Sequence, residues 1–314
     1  MTADWAKVAP NVAVVSSSGR AMGLAVVVSA DGILLVHQSS VHSESMLKVT
    51  LSGPVVFDAV VVGRDPVTGL VGLQAQGWPK GARTFAYVAS QDPEAKSLLI
   101  AATLAGPMQG QAANSRTAGH LGASNRFVPL TEVRFEQSSD RVAGAILFNP
   151  MGELVGVLGA TLSDNGPSFS VPAPAADMAK SNSRGSSGNI RRNVNLENYG
   201  PQGVTTAYAL GTTVLARVVR GLSSPSHHVL HPTLGISFRD DAKLNKVTKV
   251  DLGSTAAMGG LLVGDVIKSI NGKPVQSSVE LASALFELEI GSSASVVVTR
   301  DGTETELKVK VSGN

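Results

Sequence analysis

The feature that most constrains the fold is a succession of short runs rich in β-branched residues, separated by glycine-containing turns. Runs at 23–29, 33–36, 47–51 and 55–62 follow one another closely, and the first two are joined by a turn at 30–32. A helix does not tolerate glycine and β-branched residues at this frequency, because both lower helix propensity. The pattern therefore predicts short antiparallel strands in a barrel or a sandwich.

A second group of such runs lies between about residues 84 and 171, interrupted by a Gly/Asn/Ser-rich stretch. Two groups of similar size in series fit two barrels packed side by side. From residue 172 to about 201 the composition shifts to Ser, Asn, Arg, Gly and Pro, which is typical of a linker or a mobile loop. Residues 204–219 are apolar, and their periodicity does not distinguish a helix from paired strands.

Composition excludes several classes of chemistry. The 314 residues carry a net charge of only +2, so the charge balance predicts neither a nucleic acid nor an anionic membrane surface as partner. The chain has no cysteine, which excludes disulfides, thiol catalysis and cysteine-ligated metal sites. We expect no cofactor, no metal and no membrane span. The histidines of the His227-His228-x-x-His231 cluster are predicted to be exposed in a linker, without a fourth fixed ligand.

The last segment, residues 231–314, predicts a compact α+β unit. Ser254 is a suitable N-cap for a short helix, Asn271-Gly272 is a turn favoured between strands, and 278–288 forms an amphipathic helical pattern. Two alternating runs around Asp301-Gly302 predict a hairpin.

This segment resembles a PDZ domain of the type attached to bacterial HtrA/Deg proteases. The matching motifs occur in the expected order over some 80 residues, and they are Thr233-Leu234-Gly235-Ile236, residues 253–261, residues 262–267, residues 270–275 and residues 299–302.

The resemblance implies a peptide-binding groove that begins at Thr233. The loop Leu234-Gly235-Ile236 would turn backbone N–H groups toward a terminal carboxylate. The peptide would add as a strand beside Ile236–Phe238 and place a side chain against Leu281 and Leu285. The alternative is that Leu234 and Ile236 are simply core residues beside an empty groove.

Residues 1–175 resemble the protease domain of the same HtrA/Deg family along their whole length. The segments that carry this second resemblance are residues 5–12, 27–34, 61–65, 149–157 and 169–172. The resemblance implies a mainly β fold, a trypsin-like double β-barrel followed by the α+β PDZ domain. The implied domain limits are 1–175 for the protease-like domain, 176–230 for a linker or extension, and 231–314 for the PDZ domain.

Proteases of this type need a serine nucleophile, a histidine base and an aspartate that orients the histidine. Counting from the nearest matching motif places the histidine position at Ser39 (Gln38 in the other register) and the aspartate position at Gly69. The serine position falls on Ala143, with Arg141 and Ile146 in place of the glycine and proline of the nucleophile turn. The catalytic triad is therefore expected to be degenerate at all three positions.

The sequence thus favours a catalytically inactive HtrA/Deg-like protein, a pseudoprotease that acts as a peptide-binding scaffold. Expected partners are C-terminal or extended peptides of other proteins. An active HtrA-type protease that this chain regulates is a further possible partner. A homo-oligomer, with Trp5 as the available N-terminal aromatic contact, is also open.

The rival hypothesis is a divergent active serine endopeptidase of protein quality control. It would use His37 or His42 with an unconventional serine, for which Ser138 and Ser139 are candidates.

No secretory signal is visible at the N-terminus, which has neither a basic region nor an apolar run. The family resemblance implies an extracytoplasmic or periplasmic location if an export segment has been removed, and a cytoplasmic one otherwise.

Overall fold

The structure is a computed structural model. It describes residues 5–41, 46–52, 55–79, 85–119, 121, 124, 126–135, 144–163, 166–168, 205–238 and 245–314. The chain divides into two compact units. The first comprises residues 1–115, 120–125 and 130–228, and the second comprises residues 116–119, 126–129 and 229–314.

The first six strands form a closed antiparallel barrel in the order β1-β2-β3-β6-β5-β4. They are preceded by the short helix α1 (Trp5–Val8), and the strands are β1 (Val12–Ser17), β2 (Arg20–Val27), β3 (Ile33–His37), β4 (Leu47–Leu51), β5 (Val56–Asp65) and β6 (Leu70–Ala75). The strands alternate as a half-buried strand must: Ala13 and Val15 lie in the barrel core, whereas Val14 between them is 36% exposed. This first barrel agrees with the run-and-turn pattern of the sequence.

A second barrel closes because β10 pairs with both β7 and β11. Its strand order is β10-β7-β8-β9-β13-β11, with β12 added beside β11. The strands are β7 (Leu98–Thr103), β8 (Gly106–Gly119), β9 (Val128–Phe135), β10 (Ile146–Phe148), β11 (Leu154–Ser163), β12 (Gly166–Ser168) and β13 (Thr205–Leu210).

Three parts of this second barrel differ from the local sequence pattern. The Gly/Asn/Ser-rich stretch contains the long strand β8 (Gly106–Gly119) rather than a loop. Within the described parts of the chain, the run at 85–89 makes a single parallel bridge, between Val88 and Leu154. Part of the stretch expected as linker or extension forms β13 (Thr205–Leu210), which pairs with β9 and β11. Polar strands of this kind are stabilised by their ladder partners, which sequence propensity does not include.

Helix α2 (Thr212–Leu222) follows β13 and resolves the ambiguous apolar run into a strand and then a helix. Its buried face consists of Val214, Leu215, Val218 and Leu222, the spacing of a helix that packs one stripe against a core. The first turn is capped by a distant carboxylate, since Asp92 Oδ1 accepts hydrogen bonds from Thr212 N (2.7 Å) and Thr212 Oγ1 (2.9 Å).

In its described residues, the second unit has three small sheets and two helices around an apolar core. Its elements are β14 (Pro232–Thr233), β15 (Ile236–Phe238), β16 (Val247–Val250), α3 (Thr255–Met258), β17 (Val266–Ile270), β18 (Lys273–Pro274), α4 (Ser278–Phe286), β19 (Ser293–Arg300), β20 (Thr303–Lys310) and β21 (Ser312–Gly313). As the sequence predicted, Ser254 caps α3, because its Oγ accepts from Ala257 N at 3.2 Å. The hairpin around Asp301-Gly302 joins β19 to β20.

The described residues also bear on the expectations about a membrane span, a metal site and the exposed histidine cluster. Within the described residues, no helix is both long and apolar enough to cross a membrane, and no group of three or more His, Asp or Glu side chains is arranged to hold a metal. The expectation of an exposed histidine cluster is wrong for His231, which is only 1% exposed and stacks edge-on against Phe286 in the second unit.

Candidate functional site

The histidine position of the expected triad lies in a short 3₁₀ turn, Gln38–Ser40, which directly follows β3. Ser39 hydrogen-bonds twice to the last residue of that strand: Ser39 N donates to His37 Nδ1 at 3.3 Å, and Ser39 Oγ lies 2.9 Å from the same nitrogen. His37 therefore caps the turn in which Ser39 sits, and both polar groups of Ser39 face one imidazole nitrogen.

His37 itself is almost completely buried, with 1% of its surface exposed. Burial disfavours the charged imidazolium and lowers the pKa of His37 to about 4. The backbone N–H of Ser39 requires Nδ1 to be an acceptor, which puts the proton of the neutral ring on Nε2. Nε2 is buried and has no hydrogen-bond partner in the described part of the chain. At neutral pH this histidine is an uncharged turn cap.

Gly69, the expected aspartate position, has a left-handed backbone with φ +72°. A Cβ added to it would lie 2.8 Å from Gln38 Nε2 and 3.0 Å from Gln38 Cδ. Gln38 is anchored there by its own bonds, since its backbone N donates to Gly69 O (2.8 Å) and its Nε2 donates to Leu121 O (3.2 Å). The Gln38 amide occupies the volume in which a side chain at position 69 would begin.

The nearby carboxylate of Asp65 is hydrogen-bonded within a turn. Asp65, also buried, accepts hydrogen bonds from Val67 N (3.1 Å) and Thr68 Oγ1 (2.5 Å), and so holds the turn that leads into Gly69. Leu70 of β6 pairs with His37 of β3 on one side and with Asp65 of β5 on the other, so it lies between them in the sheet. In the sequence Asp65 stands out only as the end of the 61–65 motif, although an Asp followed directly by Pro, here Pro66, is a recognisable turn signal.

The serine position, Ala143, lies outside the described residues, as do Arg141, His42, Ser138 and Ser139. The residue that directly follows Ala143 is described. Gly144 has φ +76°, and a Cβ on it would lie 3.4 Å from His37 Cβ and 3.6 Å from Ser39 Oγ. The structure thus brings Ser39, Gly69 and Gly144 to one place around the turn at 37–39, although they are far apart in sequence.

In the second unit, the loop before β15 is tied to the turn that precedes α3. Gly235 N donates to Thr233 Oγ1 (3.1 Å), Leu234 O accepts from Ala256 N (2.8 Å), and Gly235 O accepts from Asp251 N (2.9 Å). Gly235 has φ +79°, and a Cβ on it would lie 2.3 Å from Ser254 Cβ. Only glycine fits this position, because of both its backbone angle and its contact with Ser254.

Among the described strands, β15 pairs only with β16, so its other edge has no strand partner in that part of the chain. Ile236 and Phe238 are half-buried and pack against the core of the unit. The two helix residues expected to meet a bound side chain differ: Leu285 is 9% exposed, whereas Leu281 is fully buried at 0%. Both leucines belong to the buried core cluster of the unit, and Leu285 keeps a small exposed fraction.

Comparisons with known proteins follow the same division of the chain. Residues 232–311 match the family model for the PDZ domain. The chain is 28% identical over 301 residues to a probable periplasmic serine endoprotease DegP-like of Ectopseudomonas mendocina, and 26% identical over 304 residues to the periplasmic serine endoprotease DegP of Escherichia coli. Each alignment covers 93% of this chain but 56% and 57% of the relative, so the chain spans a little over half the length of these curated relatives.

Among solved structures, the HtrA-type protease AlgW with decapeptide superposes with a TM-score of 0.62 at 19% identity, covering 98% of this chain and 97% of the other. Fold and site together define the class: a trypsin-like double β-barrel followed by a PDZ domain, as the sequence predicted. Within that class, the chain is similar to HtrA/DegP-type serine proteases over almost its whole length.

Proposed function

We propose that this protein is a non-catalytic relative of the HtrA/Deg proteases, which binds peptides of other proteins through its PDZ domain and acts as a scaffold or regulator. The observation that carries the proposal is the pair Ser39 and Gly69, because counting from the family's motifs assigns the base and its orienting carboxylate to these two positions.

The chemistry of peptide hydrolysis explains why these substitutions matter. A serine hydroxyl does not accept a proton near neutral pH, and glycine has no carboxylate with which to orient a base. Ala143 has no hydroxyl that could be acylated, and loss of the nucleophile in known triads costs several orders of magnitude in rate. The Gln38 amide beside Gly69 supports the same conclusion, because it fills space that a triad aspartate would need.

Peptide binding is supported by the available edge of β15, the carboxylate-loop motif 234–236 and the PDZ family match. An extended peptide would pair its backbone with Ile236–Phe238 and place its last side chain over Leu285. One related structure carries a decapeptide by its own description, which shows peptide binding for that protein.

One contact favours a second candidate function, a divergent serine endopeptidase. His37 Nδ1 and Ser39 Oγ are 2.9 Å apart, which is the distance of a serine–histidine dyad. Three features oppose it: the imidazole is buried, its pKa is lowered to about 4, and Nδ1 also accepts from the Ser39 backbone. Such a histidine is a weak base and already has its acceptor nitrogen occupied.

Activity assays separate the two candidates. We expect the purified chain neither to cleave unfolded β-casein nor to react with a fluorophosphonate probe, with an active HtrA-type protease as the positive control. Casein cleavage that disappears in Ser39→Ala, or in the Ser138→Ala/Ser139→Ala double variant, would establish the endopeptidase instead. His37→Gln should then abolish labelling as well.

Peptide binding is tested with pairs of fluorescent peptides that share a hydrophobic C-terminal sequence and differ in their last group. We expect peptides with a free carboxylate to bind more tightly than the same peptides amidated, because only the carboxylate can accept from the loop N–H groups. Equal affinities within every pair would count against the carboxylate loop.

The proposal extends to location and partners. The names of the relatives place those proteins in the periplasm, and we infer an extracytoplasmic location for this one. Fractionation of cells that produce the native protein tests the location. Affinity purification from the same cells tests whether an active HtrA-type protease or further copies of this chain are bound.

A further inference from the structure

The first unit contains an apolar groove between helix α2 and the connecting segment 85–88. Its volume is about 240 Å³. The groove is lined by the segment 85–88, by Val28, and by Ala216, Val219 and Arg220 of the helix. This is smaller than the roughly 300 Å³ at which cofactor and drug-sized pockets begin. The groove suits one or two side chains of a larger ligand.

The connecting segment has two hydrogen-bonding edges, and one of them faces Val27 and Val28. On its other edge, Tyr87 O accepts from Leu154 N and Ala89 N donates to Leu154 O. Alternate residues of an extended chain point their N–H and C=O to the same edge, so Ala86 and Val88 share the opposite one. Ala86 N donates to Val27 O, whereas the N–H and C=O of Val88 have no hydrogen-bond partner among the described residues. These groups can pair with the backbone of an incoming strand.

An aromatic pair borders the same segment. Phe85 and Tyr87 lie two residues apart with ring centroids separated by 4.7 Å, and Tyr87 is 66% exposed. Exposed tyrosine is typical of protein recognition surfaces, because it offers a large rigid contact area and a polar tip.

The charge of the groove is positive. Helix α2 contains Arg217 and Arg220 and no acidic residue, and Arg220 is the charged member of the lining. The pKa of Arg217 is lowered by burial and by the charge of Arg220, so the two guanidinium groups disfavour one another. A carboxylate placed beside Arg220 would relieve that repulsion.

We propose that this groove binds an extended peptide segment of a partner protein in which an aliphatic side chain is next to an acidic one. The aliphatic side chain enters the pocket between Ala216, Val219 and Val88, the peptide backbone pairs with the edge of Val88, and the acidic side chain meets Arg220. This second peptide site lies wholly in the first unit and does not depend on the PDZ groove.

The test uses fluorescein-labelled Ser-Val-Leu-Glu-Val-Ser with an amidated C-terminus, which removes the carboxylate that a PDZ loop would read. Its twin carries Lys in place of Glu. Fluorescence anisotropy with the full chain should show the Glu peptide binding about fivefold more tightly than the Lys peptide, the value expected of a partly exposed ion pair. The Arg220→Glu variant should reverse that order, whereas Arg20→Glu, an equal change of charge at the exposed first residue of β2, should leave it unchanged.

A second variant tests the pocket rather than the charge. Ala216→Leu fills the groove with a residue that helices tolerate well, and it should abolish binding of both peptides while tryptophan fluorescence reports an unaltered unfolding midpoint. The proposal is overturned if neither peptide binds below about 1 mM. It is equally overturned if Arg220→Glu leaves the order of affinities unchanged, or if Ala216→Leu binds like the wild type. Because the probes are amidated, these results are independent of the PDZ function.

Discussion

The strongest test of the geometry around the triad positions is a comparison of two glycines. Gly69 and Gly77 have almost the same backbone angle, φ +72° and +71°, but different surroundings. A Cβ at Gly69 meets the Gln38 amide at 2.8 Å, whereas a Cβ at Gly77 meets nothing within 4 Å. Changing each to alanine therefore separates backbone strain from steric conflict.

The expected costs follow from these contacts. An L-residue in the left-handed region costs about 1–2 kcal/mol relative to glycine, and both variants bear this cost. Gly69→Ala must also displace the Gln38 amide and break its 3.2 Å hydrogen bond to Leu121 O, which adds about 1 kcal/mol. We expect the midpoint of thermal unfolding to fall by about 2–4 °C more for Gly69→Ala than for Gly77→Ala.

The assay can be confined to the relevant unit. Both tryptophans of the chain, Trp5 and Trp78, belong to the first unit, so their fluorescence reports its unfolding. A Gln38→Ala change should bring the cost of Gly69→Ala down to that of Gly77→Ala in the same background. If Gly69→Ala costs no more than Gly77→Ala with Gln38 present, the Gln38 amide does not occupy the aspartate position and the steric argument is wrong.

Three further predictions follow from other parts of the structure. The folded pKa of His37 is about 4, below its unfolded value near 6.5, so the unfolded state binds one more proton between these pH values. The free energy of unfolding of the first unit should therefore fall by about 3 kcal/mol as pH drops from 6.5 to 4. Denaturant titrations should show this fall, and His37→Gln should remove most of it. The pKa of Asp265 is lowered chiefly by its hydrogen bonds with Arg300 (2.8 Å), so the carboxylate stabilises the second unit above the unfolded pKa near 3.9. This stabilisation is lost as pH falls through the folded pKa. Hydrogen exchange of β17 should become faster over that pH range, and Asp265→Asn should abolish this pH dependence. Gly235→Ala should destabilise the second unit, because the alanine Cβ would lie 2.3 Å from Ser254 Cβ. Adding Ser254→Gly should restore much of the lost stability, although it removes the N-cap of α3. An amide NMR spectrum of Gly235→Ala identical to that of the wild type would contradict the contact.

The sequence predicted much of the architecture because its signals are local. The run Leu47–Leu51 alternates apolar and polar residues and forms β4, and Ser254 is followed by the helix it caps. Each depends on a few neighbouring residues, so it can be recognised without knowledge of the partner strand. The Gly/Asn/Ser-rich stretch that contains β8 has no such local signal, because hydrogen bonds to neighbouring strands stabilise it.

The candidate site shows the same division. Residue identities at 39, 69 and 143 are sequence facts, and the proposal that the chain does not hydrolyse peptides is based on the chemistry of these side chains. The capping of Ser39 by a buried neutral His37, the Gln38 amide beside Gly69 and the full burial of Leu281 depend on packing between distant segments. Burial decides the charge of His37 and contact decides the space at Gly69, and both are properties of the folded chain that no local stretch of residues contains.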